Sequence, residues 1–268
     1  QQTGDIEFLN EENTYFKDAQ IGRGEHRDNL WSDGEGNMQL SEDDTPYRGT
    51  VLEHLLIQHL TSFYDVGEHN HIRLRGADWN DGLDMAEKRG ESVAFTALYG
   101  GNLRDLAKDI MTLSKKTGKG TISLAKEIEV LLNADKKVYD SIDEKHKVLN
   151  AYCNAVGHKV SGEKVSVDCT KLCNVLNEMS SWIADHIRKT EWITNKEGNS
   201  WFNGYYDNSG NAVEGDFSSG VRMMLTGQVF AIMSGTATDE QVAKIVKSAD
   251  DYLYDGAIGG YRLNTNFN

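Results

Sequence analysis

The chain has 268 residues, with 28 lysines and arginines against 42 aspartates and glutamates, and its formal net charge is −14 at pH 7. This length is enough for one large domain or two small ones with a real hydrophobic core. Because nucleic acids and anionic membranes are bound by basic surfaces, the acidic balance argues against both as partners and favours a neutral substrate such as a sugar.

The number of cysteines and the hydropathy of the chain indicate its cellular compartment. Three cysteines, Cys153, Cys169 and Cys173, are an odd number in a chain of ordinary size, which argues against a disulfide framework and favours a cytoplasmic setting. Cys169 and Cys173 lie four residues apart on a predicted helix, where two small buried side chains are favoured over a metal site. No apolar run approaches the roughly 20 residues that a membrane span needs, so no membrane partner is expected.

Seven helices are predicted after an irregular segment at residues 1–48. The first helix begins with a capping box, Thr50 and Glu53, and ends near Tyr64. The later helical stripes cover residues 93–113, 124–132, 148–156, 172–187, 223–233 and 242–253, and a second capping box, Thr238 and Gln241, precedes the last of them. The stripe at 223–233 is apolar nearly all round, which predicts a helix buried on every side. Because alternation is confined to a short stretch at 158–168, the sequence predicts an all-α core with long loops and a short β insertion.

The sharpest motif is Asp78-Trp79-Asn80-Asp81, which lies between two glycines. Sugars are bound by aromatic faces, carboxylates and amides, and a glycosidic bond is cleaved when a carboxylic acid protonates the departing oxygen. Two other interpretations stay open. A calcium loop would need a closing glutamate that the sequence lacks, and an Asx-rich turn would use these side chains only to satisfy backbone groups.

Two further segments carry weaker signals. Residues 201–211 are rich in aromatic side chains, glycine and asparagine, which is typical of a pocket lining, and Asp207–Asn211 is predicted to form a tight turn between two extended pieces. His69 and His71 could form a metal pair, but histidines in loops are usually solvated, so no metal site is predicted.

The motif and its surroundings resemble a known family. Residues 75–85, followed by Gly90-Glu-Ser-Val93, resemble the active-site stretch of the inverting glycoside phosphorylases of glycoside hydrolase family 94, which act on cellobiose, chitobiose and oligo-β-glucans. Supporting segments resemble the family in the same order, at residues 50–54, 201–211, 225–235 and 259–264. The resemblance covers the chain from about residue 45 onward, and the Asp-Trp-Asn-Asp stretch with its flanks is its specific part.

The resemblance implies a fold, an activity and a set of site residues. The fold would be part of an (α/α)6 toroid, and the activity would be cleavage of a β-linked gluco-disaccharide or oligo-β-glucan by inorganic phosphate, with inversion and without a cofactor or metal. Asp81 would be the general acid. The expected substrate-binding residues are Trp79, Asp78, Asn80, Arg75 and Gln228.

The sequence also departs from the family, whose members are much longer chains. Their donor-site Arg-Asp motif would lie upstream of this chain, and their phosphate-binding histidine would lie downstream of Asn268. We therefore expect residues 49–268 to be a catalytic domain that is incomplete at both ends, with the remaining segments of that domain as partners. The isolated chain is expected to be inactive, and a homodimer is left open.

Two alternative functions remain. An inverting hydrolase would use water and a second carboxylate base, roughly 6.5–9.5 Å from Asp81, for which Glu214, Asp216 and Glu53 are candidates. A non-catalytic sugar-binding fragment would keep the aromatic groups without turnover.

Overall fold

The computed structural model describes residues 3–17, 20–21, 26–75, 86 and 88–266. Within these ranges the α-helices are α1 (Val51–Tyr64), α2 (Val93–Thr117), α3 (Glu129–Leu132), α4 (Ile142–Ala155), α5 (Cys169–Thr190), α6 (Leu225–Met233) and α7 (Asp239–Tyr252). The strands are β1 (Glu12–Thr14), β2 (Gln20–Ile21), β3 (His26–Arg27), β4 (Leu40–Ser41), β5 (Arg48–Thr50), β6 (Ile72–Arg73), β7 (Glu91–Ser92), β8 (Thr121–Ala125), β9 (Lys159–Val160), β10 (Lys164–Asp168), β11 (Trp192–Thr194), β12 (Ser200–Phe202), β13 (Tyr205–Tyr206), β14 (Gly215–Phe217), β15 (Gly220–Arg222), β16 (Tyr254–Asp255) and β17 (Gly260–Tyr261).

The expected all-α fold is wrong, because the chain is a mixed α/β protein. In the described ranges the strands pair into small sheets, all of two strands except for the three-stranded sheet β6–β7–β13. The expected (α/α)6 toroid is wrong for the same reason, because it is an all-α fold. Most of these strands are only two or three residues long, so their alternation of apolar and polar residues is too brief to stand out from a loop in the sequence.

The chain divides into two compact units. The first contains Gln1–Asp65 and Arg104–Asn177, and the second contains Val66–Leu103 and Glu178–Asn268. The boundaries between the units fall inside α2 and α5, so each of these helices contributes residues to both. This division does not test the predicted boundary between an irregular segment at residues 1–48 and a catalytic domain at residues 49–268.

In the first unit, the start of α1 is capped as predicted, but only in part. The hydroxyl of Thr50 accepts the backbone N–H of Glu53 at 3.1 Å. The Glu53 side chain does not complete the capping box. Its buried carboxylate instead accepts the hydroxyls of Tyr15 at 2.7 Å and Tyr47 at 3.1 Å, and the N–H of Ala125 at 2.7 Å. Glu53 therefore joins α1 to the end of β8 and to the segment before the helix.

The prediction of a helix over residues 124–132 is also wrong. Residues Leu124 and Ala125 belong to β8, which pairs antiparallel with β10, and only Glu129–Leu132 is α-helical. Leu124 is fully buried, as is Leu131. A short apolar run fits a buried strand as well as a buried helix, so the pattern could not separate the two. The stretch 158–168 does form strands, but β9 pairs with β4 and β10 pairs with β8.

The cysteines of the first unit are free thiols. Cys153, Cys169 and Cys173 are all buried. The thiol of Cys173 donates to the carbonyl of Ala107 at 3.2 Å, and burial raises the pKa of this thiol to about 11. A thiol in this state is protonated at neutral pH and behaves as a small apolar side chain.

In the second unit, the capping box of α7 is complete. The Thr238 hydroxyl accepts the N–H of Gln241 at 3.3 Å, and the Gln241 side chain accepts the N–H of Thr238 at 3.1 Å. This confirms the predicted start of the helix. One face of α7 then packs with β12, through a cluster that contains Trp201, Met223 and Leu253.

The expectation of a helix buried on every side at 223–233 is wrong. The helix α6 begins at Leu225, and three of its apolar side chains are exposed, namely Val229 at 38%, Ile232 at 36% and Met233 at 66%. Its opposite side packs closely, since a Cβ at Gly227 would lie 3.0 Å from the Cα of Gly204. None of the helices in the described part of the chain is long and apolar enough to cross a membrane.

Candidate active site

The candidate site is built on the three-stranded sheet of the second unit. Strand β7 is central, with Arg73 of β6 and Tyr206 of β13 both opposite Glu91. In sequence, β6 precedes and β7 follows residues 76–85, whereas β13 belongs to the aromatic segment 201–211. The sheet therefore joins the flanks of the predicted active-site motif to the second segment that resembles the phosphorylases.

Four of the predicted site residues, Asp78, Trp79, Asn80 and Asp81, lie outside the described residues, so their roles stay predictions. Arg75 is described, and its φ of 51° lies in the left-handed region, which is costly for a bulky side chain. Such strain persists only where the surroundings impose it and is often found at functional sites. The predicted contact of Arg75 with substrate is not tested by this conformation.

Gln228 is almost completely buried, at 1% exposure. Its side-chain oxygen accepts the N–H of Phe202 at 2.9 Å, and its amide group donates to the Phe202 carbonyl at 2.8 Å. The Gln228 side chain of α6 thus hydrogen-bonds the backbone of Phe202 in β12, as a residue of a neighbouring strand would. The hydrogen bonds of the amide go to protein groups, so a contact with substrate remains a prediction.

Glu91 is a buried carboxylate that the sequence analysis did not identify as a site residue. It accepts the backbone N–H of His69 at 3.0 Å and that of His71 at 3.0 Å, and its Oε2 lies 2.7 Å from Nδ1 of His69. The turn before β6 wraps tightly around it, because a Cβ at Gly67 would lie 2.4 Å from the Glu91 carboxyl carbon. The only signal in the sequence was that Glu91 belongs to the Gly-Glu-Ser-Val stretch after the motif.

Glu191 is a second buried carboxylate in the same cluster. It lies 2.9 Å from Nε2 of His71 and accepts hydrogen bonds from the Tyr206 hydroxyl and the Asn203 amide, each at 3.0 Å. Burial alone would raise the pKa of Glu191. The hydrogen bond and charge of His71, with the hydrogen bonds of Asn203 and Thr190, outweigh burial and lower the pKa to about 2. Glu191 is therefore ionised at neutral pH.

Aromatic rings connect the two carboxylates. The His69 ring stacks on Tyr206, with centroids 3.6 Å apart and planes 8° apart. Burial and the charge of Glu191 raise the pKa of the Tyr206 hydroxyl, so it stays protonated and donates. The His69 and Tyr206 rings are partly exposed, whereas Glu91, Glu191 and Asn203 are each at most 2% exposed. In the described ranges, no group of three or more His, Cys, Asp or Glu side chains could hold a metal ion.

The aromatic segment 201–211 has a different role from the pocket lining that we expected. Trp201, Phe202 and Tyr205 are at most 1% exposed and belong to the core, and Tyr206 alone among its aromatic side chains is half-buried. The tight turn at Asp207–Asn211 is formed as predicted, with the Asp207 carboxylate accepting the N–H of Ser209 and of Asn211.

The turn also contacts the chain after the motif. The side-chain oxygen of Asn208 accepts the N–H groups of Lys88 and Arg89, at 2.7 and 2.8 Å. These bonds are additional to the pairing of β13 with β7. The aromatic segment thus holds residues 88–92 along their length.

The three candidates for a second carboxylate base have different environments. Glu214 is fully enclosed, and burial raises its pKa well above the usual value, although the N–H groups of Gly204 and Met224 oppose this. Asp216 is exposed on β14, and Glu53 belongs to the first unit. Their distances from Asp81 are not defined, because Asp81 lies outside the described residues.

A cavity in the first unit is a weaker candidate for a binding site. Its volume is about 150 Å³, and its lining includes Thr50, Thr117, Lys119 and Ser123. Ligand pockets usually span roughly 300–1,000 Å³. This cavity would hold a few waters or a single small group.

The sequence matches neither a protein-family model nor a curated protein.

Proposed function

We propose that the chain is part of a glycoside phosphorylase that cleaves a β-linked gluco-disaccharide or oligo-β-glucan with inorganic phosphate. The general acid is Asp81, and Trp79, Asp78, Asn80 and Arg75 bind the sugar. We also propose that the protein is cytoplasmic. The all-α toroid is not proposed, because the strands of both units contradict it.

The observation that carries this proposal is the pairing of β13 with β7. Two segments that are more than 100 residues apart, and that resemble the same family separately, are hydrogen-bonded neighbours. If the two segments resembled the family by coincidence, there would be no reason to expect them to be neighbours in the fold. Beside this pairing, the partly exposed rings of Tyr206 and His69 offer stacking surfaces for a sugar, and the buried Glu191 holds the Tyr206 hydroxyl in position.

The proposed reaction needs one proton donor and no base. An oxygen of phosphate attacks the anomeric carbon, the bond from that carbon to the glycosidic oxygen breaks, and the carboxyl group of Asp81 gives its proton to the departing oxygen. The products are a sugar 1-phosphate of inverted configuration and the shortened sugar. Because the chain has a net charge of −14, phosphate must be held by a local cluster of positive charge.

The test is an assay of the protein that contains this chain on β-linked glucans, with and without phosphate. We expect an α-configured sugar 1-phosphate only when phosphate is present. Release of free reducing sugar without phosphate would instead establish the hydrolase. Binding of the glucan without any turnover, in a protein that carries the remaining segments, would favour the non-catalytic alternative.

A further inference from the structure

One imidazole of the cluster is held firmly and still reaches solvent. Nδ1 of His69 lies 2.7 Å from the Glu91 carboxylate, and the ring stacks on Tyr206 with centroids 3.6 Å apart. The His69 side chain is 31% exposed, whereas that of Glu91 is 1% exposed. Gly210 packs beside the ring, where a Cβ would lie 3.7 Å from the ring carbon Cε1 and 3.6 Å from Oε2 of Glu68.

The hydrogen bond to Glu91 determines which nitrogen of His69 carries the proton. Glu91 accepts two backbone N–H groups in addition to the imidazole, and an ionised carboxylate can only accept. Nδ1 must therefore be the donor. In the neutral ring, Nε2 then presents a lone pair, and within the described part of the chain no hydrogen bond reaches it.

We propose that His69 contacts the substrate and that its Nε2 accepts a hydrogen bond from a hydroxyl group of a neutral carbohydrate. In this proposal Glu91 is a positioning residue, which sets the tautomer and the orientation of the ring. The inference rests on the proposed function, because it names a contact that the same site makes with its sugar.

The charges around His69 favour a hydroxyl over an anion. Glu91 and Glu191 are both buried in the cluster, and Glu68 lies in the same turn as His69. Arg89, which contacts this turn, is paired with Glu68. A phosphate or carboxylate group would meet this negative potential, whereas a sugar hydroxyl is a neutral donor that suits a lone pair.

The experiment combines a spectroscopic measurement with a binding measurement. The ¹⁵N resonances of the His69 ring report the tautomer directly, and titration calorimetry with a β-gluco-oligosaccharide reports affinity without turnover. We expect the Nδ1–H tautomer, a shift of the Nε2 resonance on adding the oligosaccharide, and affinity about tenfold weaker in His69→Phe, which keeps a ring over Tyr206. In Glu91→Gln, the His69 ring should no longer be confined to one tautomer. Binding of the oligosaccharide should weaken in this variant although His69 is still present.

The controls separate this inference from the proposed function. His146→Gln, in the first unit, should leave the affinity unchanged, and circular dichroism should show that each variant is folded. The Nε2–H tautomer in the wild type, or full affinity in a folded His69→Phe, would overturn the inference even if sugar 1-phosphate is formed. If the wild type, in the protein with its remaining segments, neither binds nor cleaves the oligosaccharide, the proposed function and this inference both fail.

Discussion

The carboxylate of Glu191 lies 2.9 Å from Nε2 of His71, and both side chains are almost completely removed from water. His71 also donates its backbone N–H to Glu91, so one residue joins the two buried carboxylates of the cluster. Buried charges are stable only when they are paired and hydrogen-bonded, and breaking such a pair leaves one charge without compensation. The stability of the second unit should therefore depend on pH through Glu191.

The first prediction concerns this pH dependence. The pKa of Glu191 falls from 4.5 to about 2 in the folded chain, so its stabilising contribution is present above about pH 4.5 and is lost as the pH falls towards 2. Glu191→Gln should lower the free energy of unfolding by about 1–3 kcal/mol at pH 7 and by roughly half as much at pH 3, where the folded carboxylate is still mostly ionised. Urea denaturation at the two pH values measures this. The exposed Glu129→Gln is the control, and a loss that is equal at both pH values would contradict the assigned cause.

The second prediction uses the tight packing of Gly67 against Glu91. A Cβ at position 67 would lie 2.4 Å from the carboxyl carbon of Glu91, which cannot retreat because its hydrogen bonds hold it. Gly67→Ala should therefore cost about 1–3 kcal/mol in the free energy of unfolding. Gly120→Ala is the matched control, since nothing lies within 4 Å of a Cβ there. Equal stability of the two variants would mean that the turn adjusts without cost.

The third prediction assigns the proton donor. In the intact enzyme, Asp81→Asn should lower the rate with natural substrates by at least about 10²-fold, because the amide cannot protonate the departing oxygen. A substrate whose leaving group needs no proton should restore the rate of Asp81→Asn. It should not restore Asp78→Asn, which supplies the comparison. An undiminished rate in Asp81→Asn would exclude it as the acid.

The fourth prediction concerns Trp79, which we expect to line the sugar subsite beside the scissile bond. Trp79→Ala should lower kcat/KM while changing the free energy of unfolding by no more than about 1–2 kcal/mol. Truncation of a buried core tryptophan costs about 3–5 kcal/mol. Trp201, which is fully buried, is the matched comparison within this chain. If Trp79→Ala unfolds the protein as Trp201→Ala should, the ring belongs to the core.

The parts of the fold that could be predicted are those that neighbouring residues decide. Thr50 and Thr238 begin helices because a hydroxyl at the N-cap satisfies an N–H only three residues away. The regular stripe of the fifth helix was equally readable. Leu124 was assigned to the wrong element because its strand partner, Val165, lies about 40 residues further along the chain.

The candidate site was also predictable only in part. The residue types of the Asp78–Asp81 motif suggested sugar chemistry, and the resemblance suggested a role for each of them, because a short motif consists of residues that are adjacent in sequence. His69, Glu91, Glu191 and Tyr206 were not identified together, since these residues are scattered from position 69 to position 206. Sequence alone therefore determined the acidic charge, the capped starts of α1 and α7 and the chemical character of the motif. The tertiary structure decided the mixed α/β fold and the buried carboxylate cluster, because strand pairing and charge burial depend on residues that only folding brings together.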